Sequence, residues 1–298
     1  MILSASRRTD IPAFYGSWIL RRLQEGFVRV RNPFRPHQVR EISLSPDLVD
    51  CIVFWTKNAD PFLEFLPEIR KMGYSDCIQH TLTPYGPELE PGLPPKKQLL
   101  EQLRRLGTEA GPERIAWRYD PVIVDAAHPV LYHLEQFDRM CRILKDSVSR
   151  CFFSFLDLYP SRMQAEKFSP VRTADMRLLA AGFSKSAAQY GIRLFTCAEE
   201  IDLEKNGIAH GACIDPIWIS QLSGRVISVR KDPNQRPACG CAESIDIGAY
   251  GSCPHRCAYC YASGSRMLNR LSHDPVSPFL LGGPNPADEI RMFPKGRS

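Results

Sequence analysis

The sequence predicts an α/β protein whose parallel sheet is closed or partly closed as a (β/α) barrel. Short runs rich in β-branched and aromatic residues, typical of strands, alternate along the chain with amphipathic helical patterns. Many of these runs end in polar residues, such as RRTD, TKN and RYD. Strands that alternate with helices pair in parallel through right-handed crossovers. Because reactive groups gather at the carboxyl ends of such strands, we expect the functional site there.

Seven runs predict strands: Ile2–Ala5, Val49–Trp55, Asp76–Leu82, Arg114–Arg118, Cys151–Leu158, Ile192–Cys197 and Ser244–Tyr250. Five patterns predict helices: Ala13–Gln24, Pro61–Met72, Lys96–Leu106, His128–Lys145 and Thr173–Tyr190. The segments Phe27–Phe34 and Gln38–Ser45 alternate polar and apolar residues, which predicts a two-stranded excursion. From His273 onward the chain is rich in Pro and Gly, and we expect it to wrap the surface or to be partly loose.

The predicted organisation has three parts. Residues 1–238 form the barrel body, residues 239–272 form a cysteine-rich iron–sulfur region that completes the barrel, and residues 273–298 form the tail. The chain has 298 residues, of which 44% are hydrophobic and 24% charged, and this balance is ordinary for a globular protein rather than a disordered one.

The composition also bears on location and partners. No uncharged apolar run approaches the roughly 18–20 residues that span a bilayer. The opening MILSASRRTDIP has only three apolar residues before its first polar one, so we expect no signal peptide and a cytoplasmic location. The net charge of +5 permits an anionic partner, such as nucleic acid, without indicating one.

Eleven cysteines are the unusual feature of the composition. In a reducing compartment disulfides rarely persist, and clustered cysteines more often bind metal or react. Five of the cysteines lie within residues 239–260. Cys51, Cys77, Cys141 and Cys151 are instead scattered through apolar runs, and we expect them to be small core residues.

The densest group is Cys253, Cys257 and Cys260, with the spacing C-x3-C-x2-C. A short loop with three thiolates at these intervals can hold a cubane iron–sulfur cluster and leave its fourth iron open. Open coordination is what catalysis at a metal requires. The alternative is a structural zinc knuckle completed by Cys239, Cys241 or His255, although His255 is expected to be a supporting or surface residue rather than a ligand.

The octet CPHRCAYC resembles the signature of radical S-adenosylmethionine (SAM) enzymes. The resemblance implies that Cys253, Cys257 and Cys260 hold a 4Fe–4S cluster whose open iron chelates SAM. It also implies that one electron from the cluster cleaves SAM to a 5′-deoxyadenosyl radical. The stretch YGSCPHRCAYCYA is similar to the loop of spore photoproduct lyases, which implies that Tyr259 packs near the adenine of the cofactor.

A broader resemblance covers nearly the whole chain. The stretches ILSASRRTDIPAFYG, VDCIVFWTKN, FTCAEEIDLEKNGI and KDPNQRPACGCAESIDIGAYGSCPHRCAYCYA resemble the bacterial domain-of-unknown-function family 1848. That family is described as having a C-terminal cysteine cluster similar to the radical SAM one. It supplies no established substrate, so the resemblance implies a class of chemistry only.

The chain departs from the radical SAM pattern in two ways. The cysteine loop follows the last predicted strand instead of the first, and the glycine-rich GGE-type segment is missing. Because the last strand of a barrel lies beside the first, we predict a circular permutation in which Ser244–Tyr250 neighbours Ile2–Ala5. The residues that would then stand in place of the glycine segment are Ser4, Arg7, Arg8, Thr9 and Asp10. A structure with these two strands far apart would contradict the permutation.

A second set of thiols comprises Cys197, Cys213, Cys239 and Cys241. Four thiolates suit an auxiliary iron–sulfur cluster or a tetrahedral zinc, and buried free thiols are the remaining alternative. We prefer iron, because an auxiliary cluster can relay electrons beside a radical site.

Polar residues at the strand ends complete the candidate site. Ser4, Arg7, Arg8 and Asp10 would bind SAM, or the charged ones among them would close the barrel mouth as a salt bridge. Trp55, Lys57 and Asn58 would hold SAM or substrate, with a solvated turn as the alternative. Arg118, Asp120 and Asp157 would orient the substrate, or form a buried ion-pair network.

The sequence therefore predicts a radical SAM-like iron–sulfur enzyme with one 4Fe–4S cluster, or two if the second set binds iron, and with SAM as its cofactor. Such an enzyme needs a reducing electron donor, such as a ferredoxin or flavodoxin, and its substrate is unknown. The alternative from another class is a non-catalytic metal-binding module for nucleic acid or a protein partner. A redox carrier is a third hypothesis, and it requires a fourth protein ligand on every cluster.

Overall fold

The computed structural model describes residues 1–158, 167–263 and 273–293. Residues 264–272 of the predicted cysteine-rich region and residues 294–298 of the predicted tail lie outside the described residues. The division into three parts stays a prediction.

Eight strands form one sheet in which every neighbouring pair is parallel, in the order β10-β1-β4-β5-β6-β7-β8-β9. Their bounds are β1 Ile2–Ala5, β4 Cys51–Thr56, β5 Asp76–Thr81, β6 Ile115–Val122, β7 Arg150–Phe155, β8 Arg193–Cys197, β9 Ala209–Gly211 and β10 Ile245–Asp246. This arrangement confirms the predicted parallel α/β sheet. Parallel pairing also places the carboxyl ends of all eight strands at one end of the sheet.

The last strand of the sheet in the chain, β10, pairs with the first, β1. Leu3 is opposite Ile245 and Ser4 is opposite Asp246, and β1 pairs on its other side with β4. The predicted neighbourhood of these two strands is therefore confirmed. As a result, the cysteine loop that follows β10 leaves the sheet beside the end of β1.

Seven α-helices are described: α1 Ile11–Phe14, α2 Gly16–Glu25, α3 Leu66–Lys71, α4 Lys96–Ala110, α5 Val130–Leu144, α6 Thr173–Gln189 and α7 Pro216–Ser223. Short 3-10 helices cover Asp60–Phe62, Pro112–Arg114 and Glu204–Asn206. No helix within the described ranges is long and apolar enough to cross a membrane.

Two predicted helices are wrong in their extent. The prediction Ala13–Gln24 is two helices, because Tyr15 between α1 and α2 has non-helical backbone angles (φ −135°, ψ 28°). The prediction Pro61–Met72 is a 3-10 turn followed by the short α3. The apolar periodicity of both segments is real, but a periodic pattern does not register a local break in the backbone.

A second sheet has the order β11-β3-β2, with β2 at Phe27–Arg31, β3 at Gln38–Ser43 and β11 at Glu289–Phe293. The first two strands confirm the predicted excursion, and β11 adds a parallel strand from the tail. The Trp18 indole also donates to the Ser277 carbonyl at 2.9 Å. The described part of the tail is thus packed against the body of the protein.

The core has two layers that follow the alternation of the strands. On β4, Ile52 and Phe54 pack in the outer layer under the helices, whereas Cys51 and Val53 point into the interior of the barrel. The four scattered cysteines are all buried, Cys51 and Cys77 in the inner layer and Cys141 and Cys151 in the outer one. This burial agrees with their expected role as small core residues.

The interior layer extends across the gap between the two edge strands, β9 and β10. Cys213, Cys239 and Cys241 belong to this layer, and the amide of Ala242 donates to the carbonyl of Ile214 at 3.0 Å. Residues 239–246 therefore run from the end of β9 to the side of β1. In the described part of the chain the sheet is a partial barrel, and this segment covers its open side.

Asp246 is the polar centre of the β1–β10 contact. Its carboxylate accepts from the hydroxyls of Ser4 (2.9 Å) and Ser6 (2.6 Å) and from the amide of Arg7 (2.8 Å).

In the variant Asp246→Ala these buried donors lose their acceptor, so we expect the free energy of unfolding to fall by about 1–3 kcal/mol in urea titrations. The exposed Glu243 is the matched control, and Glu243→Ala should change stability little. Equal losses in the two variants would contradict this role of Asp246.

His133 gives the stability a pH dependence. Its Nε2 donates to the Ile123 carbonyl at 2.7 Å, its Nδ1 lies 2.8 Å from the Tyr119 hydroxyl, and burial lowers its pKa to about 4. In the unfolded chain the pKa of this histidine is the usual 6.5, so between pH 4 and pH 6.5 the unfolded chain binds more protons than the folded protein. The contribution of His133 to the free energy of unfolding is therefore fully present above about pH 6.5 and is lost as the pH falls towards 4.

In the variant His133→Gln, the fall in unfolding free energy between pH 7 and pH 4 should shrink by up to roughly 3 kcal/mol. Urea titrations at several pH values measure this, with substitution of the exposed His210 as the control. An unchanged pH dependence in His133→Gln would contradict the prediction.

Candidate functional site

The cysteine loop lies across the carboxyl end of the sheet and packs on the loop that follows β5. The amide of Gly92 donates to the His255 carbonyl at 3.0 Å, and the amide of Ala258 donates to the Leu89 carbonyl at 2.8 Å. A Cβ at Gly92 would lie 2.7 Å from the backbone of His255, so only glycine allows this approach. Backbone contacts therefore fix the loop over the sheet.

Asp10 joins three segments at this end of the sheet. Its Oδ2 accepts from the Nε2 of His255 (2.8 Å) and from the amide of Lys57 (2.7 Å), and its Oδ1 accepts from the amide of Ala13 (2.9 Å). Because both oxygens are used, the structure gives Asp10 a positioning role for the loop. His255 is buried, as a supporting residue would be, and it is not at the surface.

A buried ionic cluster around Glu90 contacts the cysteine loop. Glu90 accepts from Lys57 at 2.8 Å, from Thr83 at 2.8 Å and from Lys96, and the hydroxyl of Tyr259 also donates to it. Burial by itself would raise the pKa of Glu90, but the two ammonium groups lower it to about 2. Tyr259 is thus held by Glu90 and by Lys57, whose Nζ lies 2.9 Å from its hydroxyl. Its predicted place near an adenine stays a prediction.

The three cysteines of the loop differ in exposure. Cys257 is buried, while Cys253 and Cys260 are half-buried, and the amide of Cys260 donates to the Cys257 carbonyl at 3.1 Å. Burial raises the pKa of Cys253 and of Cys257 to about 12, so both are neutral thiols in the protein alone. A bound metal deprotonates a coordinating thiol outright.

Within the described ranges no three Cys, His, Asp or Glu side chains converge as the ligands of a single metal ion. A cubane cluster instead offers each of three cysteines a different iron, so its ligands need not meet at one point. The spacing of the three loop cysteines is compatible with such a cluster.

Several buried polar atoms at the same end of the sheet have no hydrogen-bond partner among the described residues. They are Nη2 of Arg7, Oγ1 of Thr9, Oδ1 of Asn58 and both ring nitrogens of His80. Buried polar groups are nearly always paired, because leaving one unpaired costs free energy. A polar ligand here would supply the missing partners.

Other predicted cofactor residues are held by the protein itself. The indole of Trp55 donates to the Ser4 hydroxyl at 3.1 Å, and the guanidinium carbons of Arg7 and Arg118 lie 5.1 and 5.2 Å from the Trp55 ring centroid. Nε of Arg8 lies 3.9 Å from the Asp246 carboxylate. Trp55 thus forms an aromatic wall flanked by two cations.

The structure brings the second cysteine set together. The sulfurs of Cys197 and Cys213 are 3.0 Å apart, and Nη1 of Arg118 donates to the Cys213 sulfur at 2.6 Å. Hydrogen bonds from the thiols of Cys213 and Cys239 lower the pKa of Cys241. The four thiols therefore form a connected chain in the order Cys239, Cys241, Cys213, Cys197.

The predicted substrate residues divide into two groups. Arg118 pairs with Asp120, which also accepts from the Ser154 hydroxyl. Asp157 instead pairs with Arg236, and both side chains of that pair are exposed. Sequence reasoning missed Glu90, His80 and Glu199. Burial raises the pKa of Glu199 to about 8, and its position directly after the predicted strand Ile192–Cys197 was the available signal.

Residues 2–262 match the family model of the domain of unknown function DUF1848, so the chain belongs to this family. No curated protein matches the chain significantly.

Three solved structures are distantly similar. A variant carboxyl transferase domain of Rhizobium etli pyruvate carboxylase with pyruvate has 12% identity over 75% of this chain and 33% of its own, with a TM-score of 0.31. A putative alpha-L-fucosidase from Bacteroides thetaiotaomicron has 11% identity over 74% of this chain and 80% of its own, with a TM-score of 0.28. HydG, a maturase of FeFe-hydrogenase, has 11% identity over 86% of this chain and 65% of its own, with a TM-score of 0.35. This chain thus spans about a third of the first of these proteins. Structural similarity at these TM-scores supports no conclusion about function.

Replacement of Glu90 tests the ionic cluster. In Glu90→Gln the ammonium groups of Lys57 and Lys96 lose their buried counter-ion, so we expect unfolding free energy to fall by about 3 kcal/mol. Urea titration measures the loss, and hydrogen exchange should show faster exchange in the backbone of residues 253–260. The exposed Glu88 two residues earlier is the control. A Glu90→Gln variant as stable as Glu88→Gln would contradict a supporting role for the cluster.

Proposed function

We propose that this protein is a radical SAM-like iron–sulfur enzyme in which Cys253, Cys257 and Cys260 hold a 4Fe–4S cluster that binds SAM. The observation that carries the proposal is the position of the loop. Its thiols lie at the carboxyl ends of parallel strands, where Cys253 is near Asp10 and Cys257 is near Lys57. Buried polar atoms of Arg7 and Asn58 at the same end of the sheet lack partners among the described residues. The substrate is not identified by these features.

The cluster with SAM and a reducing donor, such as a ferredoxin or flavodoxin, would supply one-electron cleavage of SAM to a 5′-deoxyadenosyl radical. The protein's own residues would bind and orient. Asp10 and His255 keep the cysteine loop on the sheet through their 2.8 Å hydrogen bond. The free Nη2 of Arg7 is a donor for a carboxylate, and the free Oδ1 of Asn58 is an acceptor for an ammonium or a hydroxyl.

The remaining strand ends would face the substrate. Asp120 lies near the carboxyl end of β6, and Glu199 follows the end of β8 by two residues. We propose that Asp120, with Arg118 and Asp157, lines the substrate side, whereas the ends of β1 and β4 serve the cofactor. Burial of Arg118 would help to exclude water from a radical intermediate.

Anaerobic reconstitution tests the proposal. One cluster should give about four irons and four sulfides per chain, a reduced-state electron paramagnetic resonance signal that SAM alters, and 5′-deoxyadenosine as a product. In Cys257→Ala the SAM-sensitive signal and the deoxyadenosine should be lost. Cys141→Ala, which removes a thiol from the outer layer, is the matched control and should retain both.

Two outcomes would contradict the enzyme assignment. One is protein that binds zinc in place of iron at these cysteines. The other is a cluster whose spectrum SAM does not change, which would favour a non-catalytic metal-binding module. A module that binds nucleic acid would also lose affinity steeply as salt increases.

A further inference from the structure

We propose a second metal centre, separate from the cysteine loop, in which the thiolates of Cys197, Cys213, Cys239 and Cys241 close the coordination of a thiophilic metal. It lies in the interior of the barrel, and it goes beyond the proposed function because it needs neither SAM nor an open coordination position. The ligand chemistry that recognises four thiolates is that of zinc or of an iron–sulfur cluster.

The fold itself brings these thiols together from three separate segments. Cys197 ends β8 and lies opposite Gly211 of β9, and Cys213 follows β9 two residues later. The returning segment is held against this strand end because the amide of Ile214 donates to the Cys241 sulfur at 3.4 Å. Chance burial of free thiols does not require such a convergence.

The contacts among the thiols are direct. The sulfurs of Cys197 and Cys213 are 3.0 Å apart, and the amide of Ile214, which follows Cys213 in the chain, donates to the Cys241 sulfur at 3.4 Å. Cys213, Cys239 and Cys241 are each less than a tenth exposed. The four sulfurs form a chain instead of a tetrahedron, so binding would draw this chain around the metal.

Two arginine side chains lie beside the thiols. Nη1 of Arg118 donates to Cys213, and its Nη2 lies 3.8 Å from the Cys197 sulfur, while the Arg7 guanidinium is attracted to Cys241. Four thiolates around a doubly charged zinc ion or cluster core leave a net charge of −2, and burying it requires cations. Both arginines also face carboxylates, Arg118 that of Asp120 and Arg7 that of Asp246, so they lie between two sets of anions.

The test removes the first centre and leaves the second. A triple variant with Cys253, Cys257 and Cys260 changed to alanine is prepared without air, with and without iron and sulfide reconstitution. We expect one metal centre per chain to remain, as one zinc or as a cluster with equal iron and sulfide. Zinc and iron counts, with the visible spectrum, distinguish these two sources.

Adding Cys241→Ser to the triple variant should abolish the remaining metal, whereas adding Cys141→Ala should not. Circular dichroism checks that each protein is folded. If the Cys241→Ser protein fails to fold, thiol labelling of the folded triple variant decides the matter. The four cysteines should then be protected, and should become reactive when a chelator removes the metal.

Three results would overturn the second centre. They are a folded triple variant that binds neither zinc nor iron, retention of the metal after Cys241→Ser, and a disulfide between Cys197 and Cys213 in the triple variant as prepared without air. None of these measurements uses SAM cleavage. Failure of the proposed function and failure of this inference are therefore distinguishable.

Discussion

The pairing of β10 with β1 is the constraint on which the site depends. Only two residue pairs form this contact, yet it decides which strand end the cysteine loop leaves from. Asp246 reinforces it, because its carboxylate collects donors from Ser4, Ser6 and Arg7 immediately where β1 ends. The short strand β10 is thus held beside β1 more by side-chain hydrogen bonds than by backbone hydrogen bonds. Without this pairing the thiols of the cysteine loop would have no fixed position relative to the carboxyl ends of the other strands.

The cysteine loop is also held by contacts away from the β1–β10 pair. Glu90 provides them through a buried cluster with two lysines and the Tyr259 hydroxyl. A buried carboxylate is costly unless it is paired, and here both counter-ions come from segments that the loop covers. The ionic cluster, the Asp10–His255 pair and the contact at Gly92 together fix the loop on three sides.

Much of the fold could be predicted from the sequence, because strand runs and amphipathic helices have periodic patterns. The permuted position of the cysteine loop also followed, since barrel geometry alone places a last strand beside a first. The break at Tyr15 and the three-residue strand Ala209–Gly211 leave no periodic signal. Glu90 lies in the turn-rich stretch TPYGPELEPG, and nothing local indicates that two lysines meet it in space. Contacts between residues that are far apart in the sequence could not be predicted from the sequence alone.

The two halves of the barrel mouth differ in how their polar atoms are satisfied, and this difference organises the site. After β1 and β4, buried atoms of Arg7, Thr9 and Asn58 lack partners within the described residues. On β6, Arg118 and Asp120 instead satisfy each other, and Arg118 also bonds to Cys213. Because an unpaired buried polar group raises the free energy of the unliganded protein, a polar ligand would gain more hydrogen bonds at the ends of β1 and β4 than on β6. Trp55 lies between the two groups of residues, because the Arg7 and Arg118 guanidinium groups both lie near its ring.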